Sequence, residues 1–170
     1  MMGDWVEELC KIFQKEIIVY TNLLAIELKK REAVNKADGR SLQEYNRETY
    51  NLMVEASEME RVRMRSIEEV YRKNNLIIEK EAITLTDFLN KIDRDSNFQL
   101  KGYATELKTI VHKLKESIVI NDKLINTRQE LLNKTIEAMK KADAETTYTT
   151  STKTKKTPSK TRALVLNTSA

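Results

Sequence analysis

Apolar residues recur at helical spacing along most of the chain, from residue 4 to residue 142. Residues three and four positions apart lie on one face of an α-helix, so this pattern predicts helices rather than strands. Breaks in the pattern divide it into four helices, at residues 4–36, 41–73, 84–92 and 97–142. The sequence therefore predicts an all-α protein whose long helices form an elongated bundle or coiled coil.

The first predicted helix carries a wide apolar stripe made of two adjacent lines of residues. A helix of about 33 residues would extend roughly 50 Å, and it would not be stable alone in water. Other helices must therefore cover the stripe. The two lines are Trp5, Leu9, Ile12, Val19, Leu23 and Ile26, and Phe13, Ile17, Tyr20, Leu24 and Leu28.

A short break, ADGRSLQEY at residues 37–45, separates the first two predicted helices. Gly39 is expected to take the left-handed conformation that ends a helix. Ser41 followed by Glu44 has the pattern of a capping box, which starts the next helix. Because the loop is only a few residues long, the second helix should fold back antiparallel on the first and form a helical hairpin.

The segment TLTDFLNKI, residues 84–92, predicts a short amphipathic helix. Thr84 is a favoured N-cap residue, and the apolar residues of the segment share one face. This helix is expected to close one end of the bundle. Its inward face consists of Leu85, Phe88, Leu89 and Ile92.

The last predicted helix has the most regular pattern, a heptad seam sustained for more than five repeats. Asn121, Arg128 and Thr135 place a polar residue at every second seam position in its second half. Two interpretations remain open: the polar residues fix the register of a buried helix, or this end extends past the hairpin and presents a partly polar groove to a partner. The seam is Leu100, Ala104, Leu107, Val111, Leu114, Ile118, Asn121, Ile125, Arg128, Leu132, Thr135 and Met139.

The composition of the chain changes abruptly after Ala142. Ten of the sixteen residues from 146 to 161 are Ser or Thr and four are Lys. Such a segment cannot bury enough apolar surface to fold. The sequence therefore predicts a helical domain at residues 1–142 and a disordered tail at 143–170, with a small apolar patch, ALVL, near its end.

Charge and composition argue against several kinds of partner. Residues 143–170 carry +3 of the net charge of +4, which leaves the helical domain close to neutral and without a basic stripe for nucleic acid. No window approaches the ~20 apolar residues of a membrane span, and the N-terminus lacks the pattern of a secretory signal. Cys10 is the single cysteine, which fits a reducing compartment. These features indicate a soluble cytoplasmic protein.

The sequence does not assemble a catalytic or cofactor site. His112 and Glu116 supply at most one pair of metal ligands, fewer than a zinc or di-iron site requires. There is no glycine-rich phosphate loop and no nucleophile elbow. Cys10 lies on the apolar side of the first helix, as expected of a buried structural thiol. The prediction is a protein that is not an enzyme and that binds no metal or cofactor.

Five segments, in order and spacing, resemble the FlgN-type flagellar export chaperones over roughly residues 5–142. They are EIIVYTNLLAIELKKREAV in the first helix, the ADGRSLQEY turn, ERVRMR in the second helix, TLTDFL, and NDKLINTRQELLNKTIEAM in the last helix.

The resemblance implies a cytoplasmic chaperone that binds hook–filament junction proteins (FlgK- and FlgL-like) and delivers them to the flagellar type III export gate. The last helix would receive an amphipathic C-terminal segment of the cargo, and Tyr148 would contact a component of the export gate. A helix-binding groove needs apolar anchors at helical spacing. The anchors expected to bind the cargo are Leu114, Ile118, Ile125, Leu132, Ile136 and Met139.

A heptad seam predicts self-association as readily as it predicts a cargo groove. The alternative function is therefore a structural or adaptor coiled-coil protein whose last helix pairs with a second copy of the chain. For the chaperone itself, a homodimer is considered only in the absence of cargo.

Overall fold

The structure, a computed structural model, describes residues 3–79 and 81–149, with side chains up to residue 146. All regular elements within these ranges are helices, which confirms the predicted all-α class. The helices are α1 (Gly3–Asn35), α2 (Gly39–Lys73), α3 (Leu85–Lys91) and α4 (Arg94–Thr149).

Helix α4 continues for seven residues beyond residue 142, where the sequence pattern predicts its end. Alanine favours helix at positions 142 and 144. The hydroxyl of Thr146 donates to the carbonyl of Ala142, 2.7 Å away, so its hydrogen bond is made within the same helix. The predicted domain and tail boundary stays a prediction, and residues 150–170 lie outside the described residues.

The turn after α1 is made by Ala37 and not, as predicted, by Gly39. Ala37 has a φ of 54°, whereas none of the described glycines has a positive φ. The N–H of Ala37 donates to the carbonyl of Val34 at 3.1 Å, and the N–H of Asp38 donates to that of Ala33 at 2.9 Å. This pair of hydrogen bonds defines a Schellman motif, which normally has glycine at the position of Ala37.

The N-cap of α2 is Asp38, so the capping box predicted from Ser41 and Glu44 is wrong. The carboxylate of Asp38 accepts from the backbone N–H of Ser41 at 3.1 Å and from its hydroxyl at 2.7 Å. These two hydrogen bonds lower the pKa of Asp38. Gly39 is the first helical residue, and a Cβ added there would meet nothing within 4 Å.

Replacing Ala37 with glycine is expected to raise the free energy of unfolding by roughly 0.5–1 kcal/mol, because glycine takes the left-handed conformation without the Cβ penalty. Urea unfolding of the variant measures the change. Gly39→Ala is the matched control, for which we expect only a small stabilisation from helix propensity. A marked loss of stability in Gly39→Ala would contradict the assignment of the turn.

Three long helices pack with α2 antiparallel to α1 and with α4 parallel to α1. The amide of Gln14 donates to the hydroxyl of Tyr103 at 2.9 Å, and the amide of Asn121 donates to the backbone carbonyl of Glu27 at 2.7 Å. Because the residue numbers rise together in both helices, α1 and α4 run in the same direction. The chain returns to the start of α4 through the connection after α2 and through α3.

The apolar core forms two clusters along the bundle. The first lies under α3, where Phe88 is fully buried and its ring packs against Trp5 and Tyr71, with centroids 6.2 and 6.0 Å apart. This cluster closes the end of the bundle where α1 begins and α2 ends, as expected for α3. The second cluster joins the middle of the long helices and consists of Val19, Leu23, Ala56 and Leu114.

A charged pair lies inside the bundle between the two clusters. Glu16 of α1 is fully buried, and its Oε2 lies 3.1 Å from Nη1 of Arg63 of α2. Burial raises the pKa of Glu16 despite the attraction of Arg63. Oε1 of Glu16 and Nε of Arg63 are buried without a hydrogen-bond partner. The pair is therefore sensitive to the loss of either member.

Candidate functional site

Of the six predicted cargo-binding residues, the structure places three in buried or partly buried positions and three in exposed positions. Leu114 is only 4 % exposed and belongs to the second core cluster, against which Ile118 also packs. Ile125 is half-buried. Leu114 and Ile118 therefore pack within the protein's own core, and a role of these three residues in cargo binding stays a prediction.

The other three predicted residues are exposed. The exposed fractions are 60 % for Leu132, 42 % for Ile136 and 64 % for Met139. They lie at positions i, i+4 and i+7 and therefore share one face of α4. Leu131, which was not predicted, is also exposed and widens this face at one edge. We call Leu131, Leu132, Ile136 and Met139 the α4 apolar face.

The heptad pattern could not show where the buried part of α4 ends, because the same spacing continues through both parts. In the sequence, Leu131 could have been recognised as an apolar residue directly before Leu132, although it lies outside the seam. Large exposed apolar side chains that cluster on one surface commonly mark an interaction site. The α4 apolar face is therefore the candidate functional site.

A buried polar layer follows the second core cluster along α4. Asn121 is 3 % exposed, its amide donates to a side-chain oxygen of Glu27 at 2.7 Å, and its carbonyl oxygen accepts from Arg31 at 3.0 Å. Arg31 also donates to the hydroxyl of Ser117 at 3.0 Å, and Lys30 donates to Glu27 at 2.9 Å. A one-turn shift of α4 would leave these groups unpaired, so Asn121 fixes the register, as the first of the two interpretations holds.

The other two polar seam residues have different surroundings. Arg128 is exposed and donates to the side chain of Asn35 at 3.5 Å. Thr135 is exposed, and its hydroxyl donates to the carbonyl of Leu131 in the same helix at 2.8 Å. Neither residue is buried, so the first interpretation does not apply to them, and the second stays a prediction.

Tyr148, the residue expected to contact the export gate, lies in the last turn of α4. Its side chain lies outside the part of the chain that the structure describes. The backbone therefore places this residue on α4, and its role stays a prediction.

Groups with catalytic potential occupy ordinary structural positions. His112 and Glu116 are exposed on one turn of α4, with Nε2 and Oε1 3.2 Å apart. Cys10 packs against the first core cluster, and burial raises the pKa of its thiol. Among residues 3–79 and 81–149, no three His, Cys, Asp or Glu side chains are grouped so as to hold a metal ion.

Fold and candidate site together define an all-α protein with an apolar helix face suited to binding another chain. None of the described helices has a stretch long and apolar enough to cross a membrane. The model of the family described as FlgN protein matches residues 1–156. The chain therefore belongs to the FlgN family, which confirms the resemblance found in the sequence.

Members of the FlgN family are flagellar export chaperones rather than enzymes, and they bind flagellar export substrates. No curated protein and no solved structure matches the chain.

Proposed function

We propose that this chain is a cytoplasmic chaperone that binds the C-terminal helical segment of a hook–filament junction protein and delivers it to the type III export gate. The observation that supports this function is the α4 apolar face, an exposed set of large aliphatic side chains on a member of a family of flagellar export chaperones.

The spacing of Leu132, Ile136 and Met139 suits an amphipathic helix as the bound segment. Anchors at i, i+4 and i+7 form a strip along one side of α4, and a second helix can lay its own apolar side against that strip. Thr135, exposed beside the strip, offers a polar contact at its edge. A cargo segment that folds on binding loses conformational entropy, which limits the affinity and keeps the complex reversible.

The experiment that tests this function measures mass in solution during a titration. The full chain is mixed with a peptide of the C-terminal helical segment of a hook–filament junction protein, and light scattering gives the mass of each species. A monomer that becomes a 1:1 complex is the expected result. A stable dimer whose mass does not change with the peptide would refute the chaperone function and favour the coiled-coil alternative.

Self-association has support from the same surface, because an exposed apolar strip on a long helix can pair with its own copy. This alternative predicts that the mass of the free chain rises with concentration and that cargo has no influence on it. The titration therefore separates the two functions in a single set of samples.

Replacing Tyr148 with alanine is expected to leave the affinity for the cargo peptide unchanged within about twofold while it lowers export. The residue lies nine positions beyond Met139, so its loss removes no apolar anchor. Peptide affinity is measured by calorimetry, and export is measured as secreted junction protein. Equal loss of affinity and export would assign Tyr148 to the cargo site, and unchanged export would refute the gate contact.

A further inference from the structure

A cleft between α3 and the first part of α4 has a volume of about 240 Å³. None of the eight described side chains that line it is acidic. Two of the eight carry ammonium groups, and four others carry neutral hydroxyl or amide groups. A lining that combines positive charge with neutral hydrogen-bond donors is suited to an anionic group. The polar lining consists of Lys101, Lys108, Thr86, Thr105, Asn90 and Asn97.

The two walls of the cleft are joined by hydrogen bonds between α3 and α4. The ammonium group of Lys108 donates to the hydroxyl of Thr86 at 2.7 Å, and the amide of Asn97 donates to the backbone carbonyl of Leu89 at 2.6 Å. An ammonium group has three N–H donors, so Lys108 keeps two beyond the one that Thr86 accepts. Because these contacts already hold α3 beside α4, a ligand would enter a pre-formed cleft, which lowers the cost of binding.

The floor of the cleft is apolar. Leu89 and Ala104 line it, are 9 % and 1 % exposed, and belong to the first core cluster. An inorganic anion gains nothing from such a floor, whereas the methylene groups of a glutamate can lie on it while the carboxylate reaches the lysines. The volume is below the roughly 300–1,000 Å³ of small-molecule pockets. The cleft therefore suits a single acidic side chain better than a cofactor.

The two lysines of the cleft belong to a row of three that ends with Lys115. Successive members are seven residues apart, which is about 10.5 Å along α4 with a rotation of only ~20°. All three are exposed, and the next position in the row is occupied by Asp122. Carboxylates that recur every seven residues on another helix have the same spacing. Such a helix, laid along α4, would face one lysine with each carboxylate.

We propose that the cleft and the lysine row bind an acidic helical segment of a partner protein. Glutamates at every seventh position face Lys101, Lys108 and Lys115, and the glutamate opposite Lys108 enters the cleft. The site shares no residue with the α4 apolar face, so the inference does not rest on the proposed function. Exposed ion pairs are individually weak and screened by salt, so the complex is reversible and weakens as the salt concentration rises.

Designed peptides test the charge spacing through an amide chemical-shift titration of the full chain at low salt. The test peptide is a helix of alanine and glutamine with three glutamates seven residues apart. Its control has the same composition, but its glutamates are six residues apart and therefore about 120° from one another around the helix. The test peptide should bind at least fivefold more tightly and shift the amides of residues 86–108. Equal affinities for the two peptides would overturn the proposal.

Replacing Lys101 and Lys108 together with glutamine should lower the affinity for the test peptide at least fivefold. Lys15→Gln together with Lys113→Gln is the matched control, because it removes the same charge and neither residue lines the cleft. Lys113 also lies about 140° from Lys108 around α4. The control should bind within twofold of the original chain. Equal losses in the two variants would overturn the proposal, since the charge of the whole chain would then attract the peptide.

A substitution inside the cleft tests the site while both lysines stay in place. Thr105→Glu puts a carboxylate three residues from Lys108 and four from Lys101 on the same helix, where it can pair with them. It should lower the affinity for the test peptide at least tenfold. Thr105→Gln has the same size without the charge and should remain within threefold. An unchanged affinity in Thr105→Glu would overturn the proposal.

Two other polyanions are compared with the test peptide under the same conditions. They are phosphatidylglycerol vesicles and a single-stranded oligonucleotide. We expect neither to bind more tightly than the peptide, because neither has carboxylates at the spacing of the lysine row. Tighter binding of either one that is lost in the Lys101→Gln, Lys108→Gln chain would overturn the proposal, since the row would then recognise a lipid surface or a nucleic acid.

Discussion

Replacing Leu132 and Ile136 together with aspartate is expected to weaken binding of the cargo segment by at least about a hundredfold, with the fold unchanged. Each buried aliphatic side chain contributes roughly 1.5–3 kcal/mol, so the loss of two corresponds to roughly two to four orders of magnitude in Kd. A carboxylate facing the apolar side of the cargo adds a further penalty. Calorimetry with the junction-protein peptide measures the loss.

A matched control makes the same change in net charge in the same stretch of α4. Lys134→Gln together with Lys141→Gln also lowers the net charge by two, but both positions lie on the side of α4 opposite Leu132 and Ile136. This control is expected to bind cargo within a few-fold of the unaltered chain. If the control loses as much affinity as the double variant, charge rather than contact would explain the effect.

Thermal unfolding distinguishes a binding residue from a core residue. Leu132 and Ile136 are exposed, whereas the core clusters of residues 3–128 do not include them. The melting temperature of the Leu132→Asp, Ile136→Asp chain should therefore remain within a few degrees of the original. A chain that unfolds outright would show that these residues hold the protein's own structure and that the cargo site lies elsewhere.

Replacing Arg63 with alanine is expected to lower the free energy of unfolding by roughly 3–5 kcal/mol at pH 7, because it leaves the buried carboxylate of Glu16 without a counter-charge. Arg61→Ala is the matched control on the same helix. Arg61 pairs with Glu58 at 2.9 Å, but both side chains are more than half exposed, and such a pair contributes at most about 1 kcal/mol. Urea unfolding of both variants measures the difference.

The cost of Arg63→Ala should also depend on pH. Burial, the largest influence, raises the pKa of Glu16 above the usual 4.5, while Arg63 lowers it and Glu60 raises it further. A raised carboxyl pKa gives stability that is fully present below 4.5 and is lost as pH rises through the folded-state pKa. Without Arg63 that pKa rises further, so the destabilisation grows with pH and shrinks as pH falls toward 4.5.

Adding Glu16→Gln to Arg63→Ala isolates the carboxylate as the cause. Because glutamine does not titrate, the double variant should recover part of the lost stability at pH 7, and its difference from the original chain should vary less with pH. A cost for Arg63→Ala that equals the cost for Arg61→Ala at every pH would contradict the role given to the buried pair.

Sequence periodicity was sufficient to predict the helices and the antiparallel hairpin, because a long amphipathic pattern has few alternatives. It failed at the turn, where glycine was expected at the left-handed position and alanine occupies it. Gly39 and Ser41 both lie inside α2, because Asp38, three residues before Ser41, is the N-cap that decides where α2 begins. Such a competition between neighbouring caps depends on geometry that the pattern does not contain.

For the candidate site, the sequence pattern identified exposed and buried residues of α4 alike, and their role in binding cargo stays a prediction. Leu114 and Leu132 have the same residue type and the same seam position, yet one is buried in the core and the other is exposed. Which seam positions are buried is a tertiary property that residue type and spacing do not contain. Asn121 was a visible exception in the seam, but its partners Glu27 and Arg31 are about ninety residues distant along the chain and only the structure identifies them.

The parallel arrangement of α1 and α4 has a consequence for the order of folding. Glu27 and Asn121 meet across 94 residues, and direct closure of such a loop would be entropically costly. Once α2 has folded back, only the connection of about twenty residues between α2 and α4 remains to be closed, which reduces the cost by roughly 1.4 kcal/mol. We therefore expect the hairpin to form first and α4 to dock on it last, so that a weakened turn at residues 36–38 slows the docking as well.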